Sequence, residues 1–455
     1  MIVVKFGGTS VGDAAAIRRA TAIVQSRLER RPLVVVSALA GTTNALIALA
    51  EQAAQGQLIA AIRGVEGLRE RHLAVAEELL GNSAACSDVL GELAATFDEL
   101  ASLAEALSVL GHLTPRSLDA IAAKGEQLSS TLAVAVFQAE GIPAQWVDAG
   151  SVMITGDQFG KAEPRPERIA EASQRVLRPL VEQGIVPVVG GFVGATEQQV
   201  VTTLGRGGSD FSASLLGAAL GAEAIEIWTD VDGMLTADPR VVPQARLIER
   251  IRFDEASELA SFGAKVLHPS TIVPAVRLGI PVWVLNARAP EGAGTLITFD
   301  APARAVTAVA GKQDVTVIKV RSPRMLLAHG FLKSIFEIFD RHRTSVDVVA
   351  TSEISVSLTV DDARHLDSLV VDLSTLGDVS VERNRGIVAL VGAALGSDSR
   401  AMARALAALG GTRVHMLSLS ASGINLTMLV DAEQVVPAMR ALHEEFFPDT
   451  EGAGR

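Results

Sequence analysis

The chain opens with a short apolar strand that leads directly into a glycine-rich loop and then into a helix. Residues 3–13 read VVKFGGTSVGD, in which β-branched residues precede the glycines and Asp13 is a good N-cap for the alanine-rich stretch that follows. Because Gly7 and Gly8 have no Cβ, their backbone N–H groups can approach an anion closely, and Lys5 adds a positive charge. The pattern therefore predicts a phosphate-binding strand–loop–helix unit of an α/β fold.

This loop differs from the better-known nucleotide-binding motifs. In the P-loop a lysine follows the last glycine and precedes Ser or Thr, whereas here Gly12 is followed by Asp13. The Rossmann pattern G-x-G-x-x-G is absent from the segment as well. An ordinary glycine-rich turn stays open as an alternative for these residues alone, so the function depends on the motifs that follow.

Composition limits the classes of protein to which the chain can belong. At 455 residues, two or three domains are expected, and 49% hydrophobic residues suit a soluble α/β protein. The net charge of −12 argues against a broad nucleic-acid or anionic-membrane surface, and the 4% of aromatic residues argue against base-stacking platforms. One cysteine, no secretory pattern at the start and no apolar run of ~20 residues predict a cytoplasmic protein without disulfides.

The first part of the chain alternates strand-like and helical stretches. Apolar runs of strand type lie at residues 33–37, 185–189, 225–228 and 280–285, which predicts a mostly parallel sheet with helices on both faces. Residues 44–110 are rich in Ala, Leu, Glu and Gln and are expected to be helical. The pattern breaks in a proline- and glycine-rich stretch, so we place the first domain at residues 1–295.

The C-terminal part contains an internal repeat. Residues 313–384 and 385–455 each follow the order strand, helix, strand, strand, helix, and only the first repeat has a further strand at its end. The apolar run 304–311 has no other place in the pattern. We therefore expect residues ahead of the first βαββαβ unit to complete the second, as in two ferredoxin-like domains.

Three further segments carry candidate functional residues. TTLGRGGSD, from Thr202, places Arg206 on a glycine-rich turn, where its planar guanidinium suits a carboxylate. WTDVDGMLTADPR, from Trp228, is interpreted as a nucleotide-contacting loop, and FGAKVLHPS supplies Lys265. A turn or a solvated surface charge is an open alternative for each segment alone. Cys and His clusters are absent, which argues against a transition-metal site but leaves magnesium carried by nucleotide phosphates possible.

Five ordered motifs together resemble the aspartate kinase family of the amino-acid-kinase fold. They are KFGGTSVGD, SALAGTTN, KGEQLS, TTLGRGGSD and the WTDVDGM…TADPR loop. The paired βαββα units resemble the ACT regulatory domains of that family. The resemblance implies transfer of the γ-phosphoryl group of ATP, with Mg²⁺, to the β-carboxylate of L-aspartate, giving 4-phospho-L-aspartate. It also implies a homodimer or homotetramer formed through the ACT domains.

The resemblance implies a role for residues in each motif. Among the catalytic residues, Lys5 would neutralise the transferring phosphoryl group, Lys265 would assist from the other side, and Asp210 would orient the lysines. The aspartate would be held by Ser37, Thr43, Glu126, Arg206 and Ser209. The nucleotide would contact Gly7, Gly8, Thr229, Asp230, Leu235, Arg240 and Lys265. Leu235 stands where the family often has Tyr, so this position has no aromatic ring to stack on adenine.

The first repeat resembles the effector-binding region of lysine-inhibited aspartate kinases. By position, the effector site would be lined by Met325, Phe331, Leu332, Val346, Asp347, Ser352 and Glu353. The carboxylates of Asp347 and Glu353 favour lysine over threonine as the effector. Ala328 stands where the family often has Ser, and this difference is expected to weaken or alter inhibition. The alternatives are ACT units that only build a dimer interface, another enzyme of the fold such as acetylglutamate, glutamate or UMP kinase, and an inactive amino-acid-sensing protein.

Overall fold

The computed structural model describes residues 1–262, 269–326, 329–361 and 364–448. Within them the chain forms two compact units that are not contiguous in sequence. The N-terminal unit comprises the described parts of Met1–Met234, Glu249–Phe253 and Val266–Ala301. The C-terminal unit comprises the described parts of Leu235–Ile248, Asp254–Lys265 and Pro302–Arg455. The limits of the functional domains themselves stay a prediction.

An eight-stranded sheet forms the centre of the N-terminal unit, with strand order β3-β4-β2-β1-β7-β9-β10-β8. All neighbouring strands are parallel except β9 and β10, and β5 and β6 form a separate antiparallel pair. The mostly parallel sheet that the alternating sequence predicts is therefore confirmed. The strands are β1 (Ile2–Phe6), β2 (Pro32–Val36), β3 (Ala144–Val147), β4 (Val186–Gly190), β5 (Val193–Ala195), β6 (Val201–Thr203), β7 (Ile225–Thr229), β8 (Arg250–Ile251), β9 (Val282–Asn286) and β10 (Thr295–Ile297).

Helices cover both faces of this sheet. On one face α8 packs on β1, β2 and β7 and also against α7; on the other α6 packs on β2, β3 and β4 and carries the long hairpin of α3 and α4. The helical segment predicted for residues 44–110 is confirmed. The helices of this part of the chain are α1 (Ala14–Ser26), α2 (Thr42–Ala54), α3 (Leu58–Leu80), α4 (Ala84–Leu110), α5 (Pro115–Ala122), α6 (Lys124–Ala139), α7 (Pro166–Glu182), α8 (Gly208–Leu220), α9 (Phe253–Ser261) and α10 (Val273–Arg277).

A six-stranded antiparallel sheet, with order β12-β13-β11-β14-β16-β15, forms the C-terminal unit together with most of α9 and the helices named below. Its strands are β11 (Ala308–Arg321), β12 (Val349–Thr351), β13 (Ser355–Val360), β14 (Asp378–Val391), β15 (Met416–Leu419) and β16 (Asn425–Asp431). Its helices are α11 (Phe331–Arg341), α12 (Leu366–Leu373), α13 (Ser399–Ala408) and α14 (Val435–Phe446). None of the helices described has both the length and the apolar character that crossing a bilayer requires.

The two repeats share their longest strands. Residues 315–321 of β11 pair with residues 378–385 of β14, within the first repeat. Residues 308–312 of the same strand pair with residues 387–391 of β14, where the second repeat begins. A segment that precedes the first repeat in sequence thus lies beside the first strand of the second.

One predicted strand is shorter in the structure. The apolar alternation of residues 345–350 predicts a strand, but β12 covers only Val349–Thr351. The backbone N–H of Val348 donates to the side-chain hydroxyl of Thr359 rather than to a carbonyl oxygen, at 2.9 Å. Backbone contacts with β13 nevertheless continue ahead of β12, since the N–H of Thr359 donates to the carbonyl of Val348 and the N–H of Asp347 donates to the carbonyl of Thr359, each at 2.9 Å.

Candidate active site

Lys5 lies on the central strand β1, which is flanked by β2 and β7. Side chains alternate along a strand, and Ile2, Val4 and Phe6 join the core on the α6 side. Lys5 therefore points to the face covered by α8. Its Nζ lies 2.5 Å from Oδ1 of Asp210, in the first turn of α8, and both side chains are largely buried. The predicted lysine is thus held as one half of an ion pair.

The glycine-rich loop after β1 is packed closely against its neighbours. The backbone N–H of Gly7 donates to the carbonyl of Trp228, at 3.1 Å. A Cβ added to Gly8 would lie 2.9 Å from the carbonyl oxygen of Ala38, and the N–H of Ala40 donates to the carbonyl of Gly8 at 3.1 Å. A side chain at Gly8 would separate this loop from the segment that carries Ser37, which explains the need for glycine.

The loop that carries Arg206 depends on two left-handed glycines. Gly205 has a φ of +77° and Gly207 a φ of +74°, a backbone conformation that side chains disfavour. These residues turn the chain from β6 into α8, which begins at Gly208. The turn leaves Arg206 exposed and brings Ser209 into the first turn of the helix. Among the described residues Arg206 has no ion-pair partner, so its guanidinium is available to a ligand.

Glu126 lies in the first turn of α6 and is only 3% exposed. Its Oε1 accepts a hydrogen bond from the backbone N–H of Ala38, at 3.2 Å, whereas Oε2 is buried without a partner in the part of the chain described. Burial raises the pKa of Glu126 to about 8, and the hydrogen bond from Ala38 opposes the shift. A carboxylate in this position lacks a cation, which an ammonium group of a ligand would supply.

These side chains line one cavity of about 620 Å³ within the N-terminal unit. The structure therefore brings together most of the phosphoryl-transfer and acceptor residues that the resemblance implies, namely Lys5, Gly8, Ser37, Thr43, Glu126, Arg206, Ser209 and Asp210. Gly7 lies in the same loop as Gly8, and Lys265 lies outside the described residues. The cavity combines two cations with three acidic side chains, an arrangement suited to a small zwitterionic acid and a phosphoryl group.

The third acidic side chain, Asp119, is absent from our sequence-based set. It lies on α5, is 2% exposed and lines the same cavity. Burial raises the pKa of Asp119, and hydrogen bonds from Gly160 and Thr203 oppose the shift. A lone aspartate in a helix belongs to no motif, and the residues that contact it are 41 and 84 positions away in sequence, so no local pattern reveals it.

The predicted nucleotide contacts fall in both compact units. Thr229 ends β7, and its hydroxyl lies 3.3 Å from the carboxylate of the next residue, Asp230. Leu235 and Arg240 belong to the C-terminal unit. There Arg240 is mostly exposed and pairs with Asp238 at 2.6 Å.

The predicted effector residues occupy the first repeat of the C-terminal unit. Three of them pack, partly buried, against its core, namely Met325, Phe331 and Val346. The remaining four are exposed, namely Leu332, Asp347, Ser352 and Glu353. Although Asp347 is exposed as a residue, desolvation of its carboxyl group raises its pKa, and the charge of Lys312 opposes the shift. Ala328 lies outside the described residues.

Comparisons with known proteins agree with this geometry. The model of the amino acid kinase family matches residues 1–286, and the model of the ACT domain matches residues 388–446. The lysine-sensitive aspartokinase 3 of Escherichia coli strain K12 is 38% identical, over 98% of this chain and 99% of the relative. Aspartokinase 3, chloroplastic, of Arabidopsis thaliana is 36% identical, over 98% of this chain and 81% of the relative.

Solved structures show the same likeness. The crystal structure of E. coli aspartokinase III in complex with aspartate and ADP, described as the R-state, matches with a TM-score of 0.86 and 38% identity, covering 98% of this chain and 100% of that one. The complex of the same enzyme with lysine and aspartate, described as the T-state, matches with a TM-score of 0.82 and covers 99% of that chain. From its motifs, its cavity and relatives that align over nearly its whole length, the chain belongs to the aspartokinase family.

Proposed function

We propose that the chain transfers the γ-phosphoryl group of ATP to the β-carboxylate of L-aspartate within the cavity lined by Lys5 and Arg206. Phosphoryl transfer needs positioning and positive charge more than covalent help, and a carboxylate nucleophile needs no general base. Lys5 supplies the charge, and Asp210 holds its Nζ at 2.5 Å. Lys265 is proposed as a second cation on the phosphoryl group. The observation that carries the proposal is the convergence on one cavity of Lys5, Arg206 and the buried Oε2 of Glu126, which has no partner within the described ranges.

The acceptor is proposed to bind through both of its charged backbone groups. Arg206 and Ser209 hold the α-carboxylate, since Arg206 has no other ion-pair partner among the described residues. Glu126 holds the ammonium group, which fits its buried and unsatisfied oxygen. Ser37 and Thr43, which line the same cavity, lie beside the bound aspartate.

The nucleotide phosphates are proposed to lie against the Gly7–Gly8 loop and to contact the backbone of Gly8, since the N–H of Gly7 already donates to the carbonyl of Trp228. The nucleotide is proposed to contact Thr229, Asp230, Leu235, Arg240 and Lys265 elsewhere. Magnesium enters with those phosphates. No group of three potential metal-ligating side chains occurs within the described ranges, and magnesium carried by phosphates needs only one or two protein oxygens. Its role is to neutralise charge on the phosphates during the transfer.

An amino-acid effector is proposed to bind the first repeat. The E. coli relative is described as lysine-sensitive and as forming a complex with lysine. The exposed carboxylates of Asp347 and Glu353 suit the two ammonium groups of lysine better than the hydroxyl of threonine. We propose feedback inhibition by lysine, assembly into a homodimer or homotetramer through the ACT domains, and a cytoplasmic location.

The catalytic proposal is tested by following ADP release with ATP, magnesium and one acceptor at a time. We expect turnover with L-aspartate, and none above background with N-acetylglutamate, glutamate or UMP. Lys5→Ala is expected to lower kcat by at least about 10²-fold because the developing phosphoryl charge loses its cation. Lys333→Ala removes an exposed lysine and serves as the matched control. Nucleotide binding without turnover would instead favour the inactive amino-acid sensor.

The regulatory proposal needs a separate assay, in which lysine and threonine are titrated against the active enzyme. Inhibition by lysine at lower concentration than by threonine is the expected result. The absence of any response to either amino acid would favour ACT units that serve only as an assembly surface.

A further inference from the structure

Asp119 collects hydrogen bonds from two segments that are distant in sequence. The backbone N–H of Gly160 donates to its Oδ1 and Oδ2, at 3.0 and 2.9 Å. The backbone N–H of Thr203 donates to Oδ2 at 3.0 Å, and the hydroxyl of Thr203 donates to Oδ1 at 2.7 Å. One carboxylate on α5 therefore fastens the loop around Gly160 to the end of strand β6.

These hydrogen bonds stabilise a buried carboxylate. Asp119 is 2% exposed, and no lysine or arginine forms an ion pair with it in the described part of the chain. A buried carboxylate without a cation is costly unless hydrogen-bond donors surround it. Because Asp119 is held by these donors, we expect its role at the cavity wall to be to fix the positions of the two segments that supply them.

Both fastened segments meet at the loop that carries Arg206. Thr203 is the last residue of β6 and stands three positions before Arg206. The N–H of Ala162 donates to the carbonyl of Thr203 at 2.8 Å, and a Cβ added to Gly205 would lie 3.2 Å from the carbonyl oxygen of Gly160. The loop is therefore attached at its start to Thr203, and at Gly205 it packs against Gly160, so its path depends on where these two residues are held.

We propose that Asp119 is a positioning residue for the acceptor site, which holds the Arg206 loop in place for the α-carboxylate of the substrate. The inference rests on the proposed role of Arg206 in binding aspartate. Asp119 acts through the loop and has no required contact with the phosphoryl group. Its loss therefore weakens aspartate binding selectively.

The hydrogen bonds that join Asp119 to Gly160 and Thr203 are called the clamp below. The isosteric substitution Asp119→Asn tests it. An amide oxygen at the Oδ2 position can still accept from the N–H groups of Gly160 and Thr203, and its NH₂ group can donate to the hydroxyl of Thr203. The amide carries no charge, however, so the charge-assisted hydrogen bonds to Asp119 become weaker neutral ones. We expect the KM for aspartate to rise about tenfold, with the KM for ATP within about twofold of its original value, since replacing charge-assisted hydrogen bonds by neutral ones has this order of effect. Asp157→Asn, an exposed acid in the same loop as Gly160, is the matched control.

A pair of substitutions at Thr203 separates the hydroxyl contact from side-chain size. Thr203→Val keeps the shape but removes the hydroxyl donor, and it should raise the KM for aspartate several-fold. Thr203→Ser keeps the donor and should stay close to the original enzyme. Equal effects of the two substitutions would contradict the clamp.

A double-mutant cycle with Arg206→Ala gives the decisive readout. If Asp119 acts through Arg206, Asp119→Asn should add less than about twofold to the KM for aspartate once Arg206 is gone, which a general structural defect would not do. Additive effects, equal rises in both KM values, or an unchanged KM in Asp119→Asn would overturn the inference. Arg206→Ala alone with a normal KM for aspartate would instead refute the proposed acceptor site, so the two failures are distinguishable.

Discussion

The binding of aspartate should depend on pH through Glu126. In the free enzyme burial raises the pKa of this carboxyl group to about 8, so it is mostly protonated at neutral pH. Only the charged form can pair with the ammonium group of the substrate. With this pKa, about one tenth of the free enzyme is competent at pH 7, so kcat/KM for aspartate should rise about tenfold between pH 7 and pH 9.

Steady-state kinetics from pH 6 to 9 test this expectation directly. The KM for ATP, measured over the same pH range, is the internal control, because titration of other charged groups in the cavity would change the KM for ATP as well as that for aspartate. Calorimetric titration of aspartate in two buffers of different ionisation enthalpy should show release of about 0.9 proton per aspartate at pH 7. A kcat/KM for aspartate that is flat from pH 6.5 to 8.5, together with no proton release, would refute the reasoning.

The variant Glu126→Gln supplies the matched control. It should raise the KM for aspartate and remove its pH dependence. Because the folded pKa of Glu126 lies above the ordinary value of 4.5, its contribution to stability is present below pH 4.5 and is lost as the pH rises to about 8. The Tm of Glu126→Gln should therefore exceed that of the original protein at pH 9, with a much smaller difference at pH 5.

Three further substitutions test other contacts. Gly191→Ala would place a Cβ 2.6 Å from the Cβ of Ser209, so the KM for aspartate should rise about tenfold, and an unchanged value would contradict the close packing. His443→Phe removes the 2.9 Å hydrogen bond to Thr236, so the free energy of unfolding should fall by about 1 kcal/mol, and an unchanged stability in denaturant titration would contradict this contact. Asp347→Asn should raise the lysine concentration for half-inhibition about tenfold without changing kcat in its absence; unaltered inhibition would remove Asp347 from the effector site.

Strands β1, β2, β4, β7 and β9, the glycine turn before α8 and the start of α1 could be predicted because their signals are local. Asp13 was expected as an N-cap, and its carboxylate accepts from the N–H of Ala16 at 2.7 Å. The glycines before α8 signalled a turn, and both Gly205 and Gly207 have positive φ. In each case the residue type that the local backbone requires is visible without knowledge of tertiary contacts.

Features that depend on distant contacts could not be predicted. Asp119 is set by donors far along the chain, and the pKa of Glu126 depends on how completely α6 and its neighbours bury it. The continuous strands β11 and β14 were read as shorter pieces, because a register shift between Lys312 and Val315 breaks the alternation within one strand. Sequence periodicity shows which side of a helix or strand is apolar. It does not show which distant residues pack against that side, and the hydrogen bonds of Asp119 and the burial of Glu126 depend on those residues.

The proposed effector site and part of the proposed nucleotide loop belong to the same compact unit, which gives a physical route for coupling between them. Thr236 lies within the WTDVDGM…TADPR loop, and Val242 lies two residues after it. Val242 is part of the core formed by α13 and α14, and the carbonyl of Thr236 accepts from the N–H of Val309 at 2.8 Å. Val309 lies on β11, the strand that continues into the first repeat. A shift of the first repeat would move β11 as one covalent strand, and the segment after Leu235 is hydrogen-bonded to that strand. Coupling between the proposed effector site and this loop therefore needs no mobile linker, because both are anchored to one sheet.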